Sequence, residues 1–210
     1  MTEYIHVFMV CEDLNLSAFG SLPPSYFFRH LSQDEVPFWI KYPFDGKELT
    51  PDQRQFMSAY IAKTYDDDLE NLCQNTWVVN NQQHEILATC TRWKAYGVIQ
   101  SIQWLKTKKE YEGQGIGRAL LTKVLRSFTS DDFQVFLHTQ SGSYKAIKLY
   151  SDFGFSIITD ELPGPVPKQW EDALSVLKPC MKKEAFNWLH FTSCPKMLKE
   201  VLADQSFLQF

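Results

Sequence analysis

The sequence predicts an α/β domain built on a mixed, mostly antiparallel sheet flanked by helices. Three observations carry that prediction. Between Thr76 and Thr107 short apolar runs are separated by turn residues, the pattern of a meander. From Gly115 to Phe128 the apolar residues Ile116, Leu120, Leu121, Val124 and Leu125 recur at helical spacing instead. A strongly apolar strand, Phe133 to Thr139, then precedes a second helix, Ser143 to Asp152, and a further strand, Phe155 to Thr159. Meander, helix, strand, helix, strand is the order of a sheet with helices laid on it.

The bulk of the chain agrees with a packed domain. With 210 residues, 44% hydrophobic and 15% aromatic, it holds ample core material, which excludes a disordered chain. No apolar run approaches the roughly 20 residues needed to cross a bilayer, so no membrane partner is expected. The start, Met1-Thr2-Glu3, lacks the basic residues and cleavage site of a signal peptide, so a cytoplasmic location is expected. Cys11, Cys73, Cys90, Cys180 and Cys194 form no CxxC pair and read as reduced thiols. The histidines are dispersed without an HExxH, so no metal is expected. A net charge of −4 without a basic stripe argues against nucleic acid as partner.

Taken in order, Tyr4 to Cys11 reads as a strand, closed by the turn cluster Gly20 to Ser25. Tyr26 to Leu31 is a second strand. Ser32 then caps a short helix with Phe38, Trp39 and Tyr42 on its apolar side. Thr50-Pro51-Asp52 is a strong helix start, and Phe56, Tyr60 and Ile61 recur behind it. A further helix ends near Cys73. Trp77 to Val79, Glu85 to Tyr96 and Val98 to Thr107 are the meander strands, the last two joined near Gly97. The run Leu162 to Pro167 punctuates the chain. Residues 1–162 are therefore expected to hold the sheet domain with its extra N-terminal strand. Residues 163–210 would form a helical extension packed on it, with His190 and Phe191 open to a last strand.

The richest local signal is Glu112-Gly113-Gln114-Gly115-Ile116-Gly117-Arg118, set between a strand and a helix. Glycines at alternate positions leave successive N–H groups open to one anion, and the helix beginning there adds its dipole. Such a site suits a pyrophosphate, with Arg118 as a supplementary charge. A phosphate-binding P-loop would need GxxxxGK[ST], and a dinucleotide fingerprint would need glycine at Arg118. Neither fits, which leaves a tight turn before a helix or another pyrophosphate ligand.

Gly113 to Leu121 resembles the acyl-CoA pyrophosphate loop of the GNAT (GCN5-related N-acetyltransferase) family, Gln/Arg-x-x-Gly-x-Gly/Ala. Ser143-Tyr144-Lys145-Ala146-Ile147-Lys148-Leu149-Tyr150, followed by Gly154-Phe155, is similar to that family's second motif, Asn-x-x-Ala-x-x-Leu-Tyr and Gly-Phe. The two come in the family's order with one strand between them. Glu112 and Ser143 depart from the pattern.

What the resemblance implies is a GNAT-type sheet and transfer of an acetyl or acyl group from acetyl-CoA, as co-substrate, to an amine. The acceptor would be a small molecule or a peptide. A backbone N–H around Leu105, Lys106 and Thr107 would donate to the acyl oxygen, and the loop from Glu112 to Arg118 would hold the pyrophosphate. Ser143 and Ala146 would meet the pantetheine arm, and Tyr150 would protonate the leaving thiolate. The strand before the loop has no carboxylate, so His138 is the candidate base, ahead of Glu85 and His6. A non-catalytic acyl-CoA sensor and an acyl-CoA thioesterase remain as alternatives, and the oligomeric state, a homodimer included, stays open.

Overall fold

The structure, a computed structural model, describes residues 5–44, 46–66, 68–163 and 170–209. Most of the proline-rich run therefore lies outside the described residues.

Eight strands form one sheet in the order β2-β3-β4-β5-β6-β1-β7-β8. The strands are β1 (His6–Cys11), β2 (Phe27–His30), β3 (Thr76–Asn80) and β4 (Ile86–Ala95), then β5 (Ile99–Thr107), β6 (Val135–Gln140), β7 (Ser156–Ile158) and β8 (His190–Thr192). Strands β2 to β5 are the antiparallel meander, extended by β2 at the edge. Strand β5 pairs parallel with β6, and β7 parallel with β8. The sheet is mixed and mostly antiparallel, as the sequence indicates.

Between β2 and β3 lie α1 (Val36–Trp39), α2 (Pro51–Tyr65) and α3 (Leu69–Asn75). Thr50 caps α2 by accepting from the Gln53 amide at 3.2 Å, and Gln53 accepts in return from the Thr50 N–H. The buried face of α2 is Met57, Tyr60, Ile61, Thr64 and Tyr65. Phe56, expected on that face, is 55% exposed, because it sits one residue before Met57, on the turn's outer side. At the preceding corner Ser32 and Glu35 form a capping box, and Arg29 grips the Glu35 carboxylate at 2.6 and 2.7 Å. That guanidinium is the main reason Glu35 titrates low, at about 2.

After the meander come α4 (Ile116–Leu125), α5 (Tyr144–Asp152), α6 (Trp170–Cys180), α7 (Lys183–Asn187) and α8 (Lys196–Ala203). The expected inner face of α4 is confirmed: Ile116, Leu120, Leu121, Val124 and Leu125 are all buried. Each such side chain contributes about 1.5–3 kcal/mol by leaving water. They share one core with Val7, Met9 and Leu137 of the sheet, Tyr150 of α5 and Leu177 of α6. On the opposite face Phe8, Val10 and Phe136 pack with Leu198 and Leu202 of α8. A third cluster joins α1 to α3 with β3 and β4.

Two placements complete the sequence reading. Strand β1 is not an appendage: it inserts between β6 and β7 and pairs with both. In the segment beyond residue 162, His190 and Phe191, left open to a last strand, do form one: β8, which joins the sheet edge.

Candidate active site

Strands β5 and β6 share a single register pair, Ser101 with Phe136. Beyond it β5 continues to Thr107 and β6 to Gln140 without pairing to each other, so the two strands part and leave a wedge. Along the wedge the facing edges carry backbone donors and acceptors that strand pairing between them does not satisfy. On its other edge β5 carries a bulge against β4. The register of β4 on β5 shifts between Thr89, facing Lys106, and Thr91, facing Gln103, so Trp104 and Leu105 both oppose Cys90. Trp104 takes φ 54°, rare for a bulky residue. It is held there by a bond from its Nε1 to Tyr65 Oη at 2.7 Å and by edge contacts with Tyr60 and Trp39.

The glycine loop closes the wide end of this wedge. Gly113 and Gly115 have φ of 78° and 81°, and a Cβ at either would meet nothing within 4 Å. Backbone conformation, not crowding, therefore selects glycine, and the space over the loop is open. At Gly117 a Cβ would come within 3.1 Å of Thr107 Oγ1, so this glycine lets α4 seat against the end of β5. Tyr111, Glu112 and Ala119 donate to carbonyls within the loop and first turn, whereas the amides from Gly113 to Arg118 find no acceptor among the described residues. Consecutive free N–H groups at a helix start form an anion cradle. Thus the open backbone fits a diphosphate.

The side chains around the cradle are arranged less simply. Glu112 forms an ion pair with Lys145 of the first turn of α5, so its carboxylate is neutralised across the mouth. Gln114 accepts from Tyr26 Oη at 2.9 Å. Arg118, expected to add charge, donates instead to the Ala18 carbonyl at 2.9 Å and pairs with Asp152 at 2.7 Å. Its guanidinium ties α5 and the loop before β2 to α4, and only its amide belongs to the cradle. Ser143 occupies the cap position of α5, yet its side chain makes no capping bond. Ala146 packs partly buried against the main core.

Tyr150 is 6% exposed, its ring centre 5.8 Å from that of Phe155. Burial raises its pKa strongly, and the nearby Cys90 thiol adds to the effect. Cys90, the β4 residue opposite the bulge, shares the main core with Tyr150. A buried phenol there stays a neutral donor through the neutral range.

His138 stands two residues beyond Phe136, where β6 has left β5, and shares that residue's face of the sheet. It is on the face opposite Tyr150, stacked on Phe8 at 4.6 Å. Its Nε2 lies 2.7 Å from Nδ1 of His6, and the rings stack at 4.8 Å. Burial lowers the pKa of His6, favouring a neutral imidazole. Glu85, the other candidate base, is paired with Lys108 at 2.5 Å. The aromatic residues of the first half divide: Trp39 is core, while Phe38 is 67% exposed and Phe27 is also at the surface.

Leu105 to Thr107 border the wedge beside the loop, whereas Tyr150 lies in the core under one face of the sheet and His138 on the opposite face. Sequence reasoning does not single out Lys145, Cys90 or the Trp104 bulge. Of the three, only Lys145 carries a readable signal. It falls just after Ser143, the cap position of α5, and so in the first turn of that helix, facing the glycine loop.

Comparison with known proteins agrees with this geometry. Residues 73–157 match the family profile described as Acetyltransferase (GNAT) domain. The fold resembles an acetyltransferase from the GNAT family of Colwellia psychrerythraea, at 13% identity and a TM-score of 0.51, over 74% of this chain and 53% of that one. It also resembles a GCN5-related N-acetyltransferase-like protein from Streptococcus suis 89/1591, at 12% identity and a TM-score of 0.50, over 76% of this chain and 59% of that one. The chain thus spans little more than half the length of these two structures. No curated protein matches the sequence. Among the described residues no helix is long and apolar enough to cross a membrane.

Proposed function

From the match of residues 73–157 to the GNAT acetyltransferase domain, we propose that the protein transfers an acyl group, acetyl in the simplest case, from acyl-CoA to an amine. The observation that carries this reading is the run of free amides from Gly113 to Arg118 at the open end of the β5–β6 wedge. Bound there, acyl-CoA would supply a thioester carbonyl open to attack by an amine.

The chain's own residues divide the work by face. The loop amides hold the diphosphate, and the parted edge of β5 around Leu105 to Thr107 pairs with the pantetheine amides. A main-chain N–H of that bulged stretch donates to the acyl oxygen as charge develops on it. Tyr150, on the face that α4 and α6 cover, gives its proton to the departing sulfur. His138, on the other face, accepts the proton that the amine sheds. Proton donor and proton acceptor thus approach the thioester from opposite sides of the sheet. The acceptor is a small-molecule or peptide amine.

The test is thiol release from acetyl-CoA across an amine panel, with an acceptor-free control. Amine-dependent release supports acyl transfer. Equal release without amine would make the protein a thioesterase, and binding without release a sensor.

The Glu112–Lys145 pair adds a second expectation. Glu112→Gln removes an anion beside the diphosphate and frees Lys145 to meet it, so coenzyme A should bind about 3- to 10-fold more tightly. Calorimetry reads this directly. Unchanged or weaker affinity would place the carboxylate outside the diphosphate's reach.

A further inference from the structure

A second recess lies along α4, apart from the wedge. The loop before β2, strands β2 and β3, and the outer side of α4 enclose an open cleft of about 440 Å³. None of its lining residues belongs to the glycine loop, to α5 or to the parted halves of β5 and β6. Its apolar walls are Phe19 and Leu22 from the loop, Phe28 from β2 and Trp77 from β3. Such a volume suits a one- or two-ring organic molecule.

The polar side of the cleft is unusual. Lys123 and Arg126 both line it, one turn apart at the end of α4, where like charges repel. The Lys123 ammonium lies 4.4 Å from the Trp77 ring centre and 6.0 Å from that of Phe28. The Arg126 guanidinium lies 5.3 Å from the ring of Phe19. Among the described residues no carboxylate pairs with either cation, although Arg29, Arg92, Arg118, Lys145 and Lys148 all have one. In a chain of net charge −4, two neighbouring cations left to aromatic rings are a local excess of positive charge. Its field reaches His30 at the rim, whose pKa is lowered first by burial and then by Lys123.

We propose that this cleft binds a small aromatic carboxylate. The carboxylate accepts from the ammonium and from the free edge of the guanidinium, and the ring lies against Trp77, Phe28 and Leu22. The loop that roofs the cleft is pinned by the Gly20 amide, which donates to Thr122 Oγ1 at 3.0 Å, so the wall is built before the ligand arrives. The site stands on these residues alone, independent of the transferase reading.

The experiment is calorimetric titration of 2-naphthoate into the full chain, alone and with saturating coenzyme A, beside the neutral isostere 2-naphthamide. The expected result is saturable binding of the acid that coenzyme A leaves unchanged, with the amide about tenfold weaker or more. Lys123→Met and Arg126→Met should each weaken the acid about tenfold and the double variant further, and circular dichroism reports that the variants are folded. No saturable binding, equal affinity for acid and amide, displacement by coenzyme A, or undiminished binding in the double variant would each overturn the proposal. The isostere and coenzyme A arms need no variant, so a misfolded mutant cannot leave the question open.

Discussion

Tyr150→Phe is expected to lower amine acetylation by about 10²- to 10⁴-fold, the span a positioned proton donor contributes, while coenzyme A binds as before. The change removes one oxygen and keeps the ring near Phe155, 5.8 Å away, so the core that α5 shares with β1 and α4 is preserved. Because burial raises the phenol's pKa strongly, the wild-type rate should show no loss from Tyr150 ionisation on the basic side of neutrality. The measurement is thiol release under saturating amine, paired with calorimetry. Turnover within about a factor of two of wild type would remove Tyr150 from the mechanism and leave the leaving group to solvent.

Gly154→Ala should have the largest effect on stability. This residue has φ of 100°, and an added Cβ would lie 2.4 Å from the Asp13 carbonyl oxygen and 3.3 Å from the Asn15 amide nitrogen. Both contacts are to backbone, so no side chain can swing away. Adding the cost of the backbone conformation to that of overpacking gives a loss on the order of 3 kcal/mol or more. The end of α5 and the loop after β1 meet here, since Asn15 donates to the carbonyls of Phe153 at 3.0 Å and Asp152 at 2.9 Å. Urea denaturation of the variant reads the loss. A midpoint equal to wild type would mean that the loop does not press on Gly154.

Much of this architecture is legible in the sequence because it rests on local chemistry. Short apolar runs between turn residues mark β3 to β5, helical spacing marks the inner face of α4, and Thr50-Pro51-Asp52 marks the start of α2. The glycine loop is legible for the same reason, since Gly113 and Gly115 both need a backbone conformation that other residues avoid. What depends on distant partners is not. Nothing in His6 to Cys11 says that both its edges will be paired. Trp104 is a strong strand former, so its positive φ is invisible until Tyr65, Tyr60 and Trp39 are packed around it. Arg118 looks like a phosphate ligand until Asp152 arrives beside it. Strand β8 is legible only as an option at His190 and Phe191, because three residues with two exposed give no periodic signal.

The place of β1 has a consequence for biogenesis. This strand leaves the ribosome with no edge to join, because His6 and His138, which touch through their rings, are 132 positions apart. Until β6 and β7 have been synthesised, its apolar residues Val7 to Cys11 must stay soluble without their sheet neighbours. The sheet is therefore sealed late, by an early-made piece that waits for its neighbours.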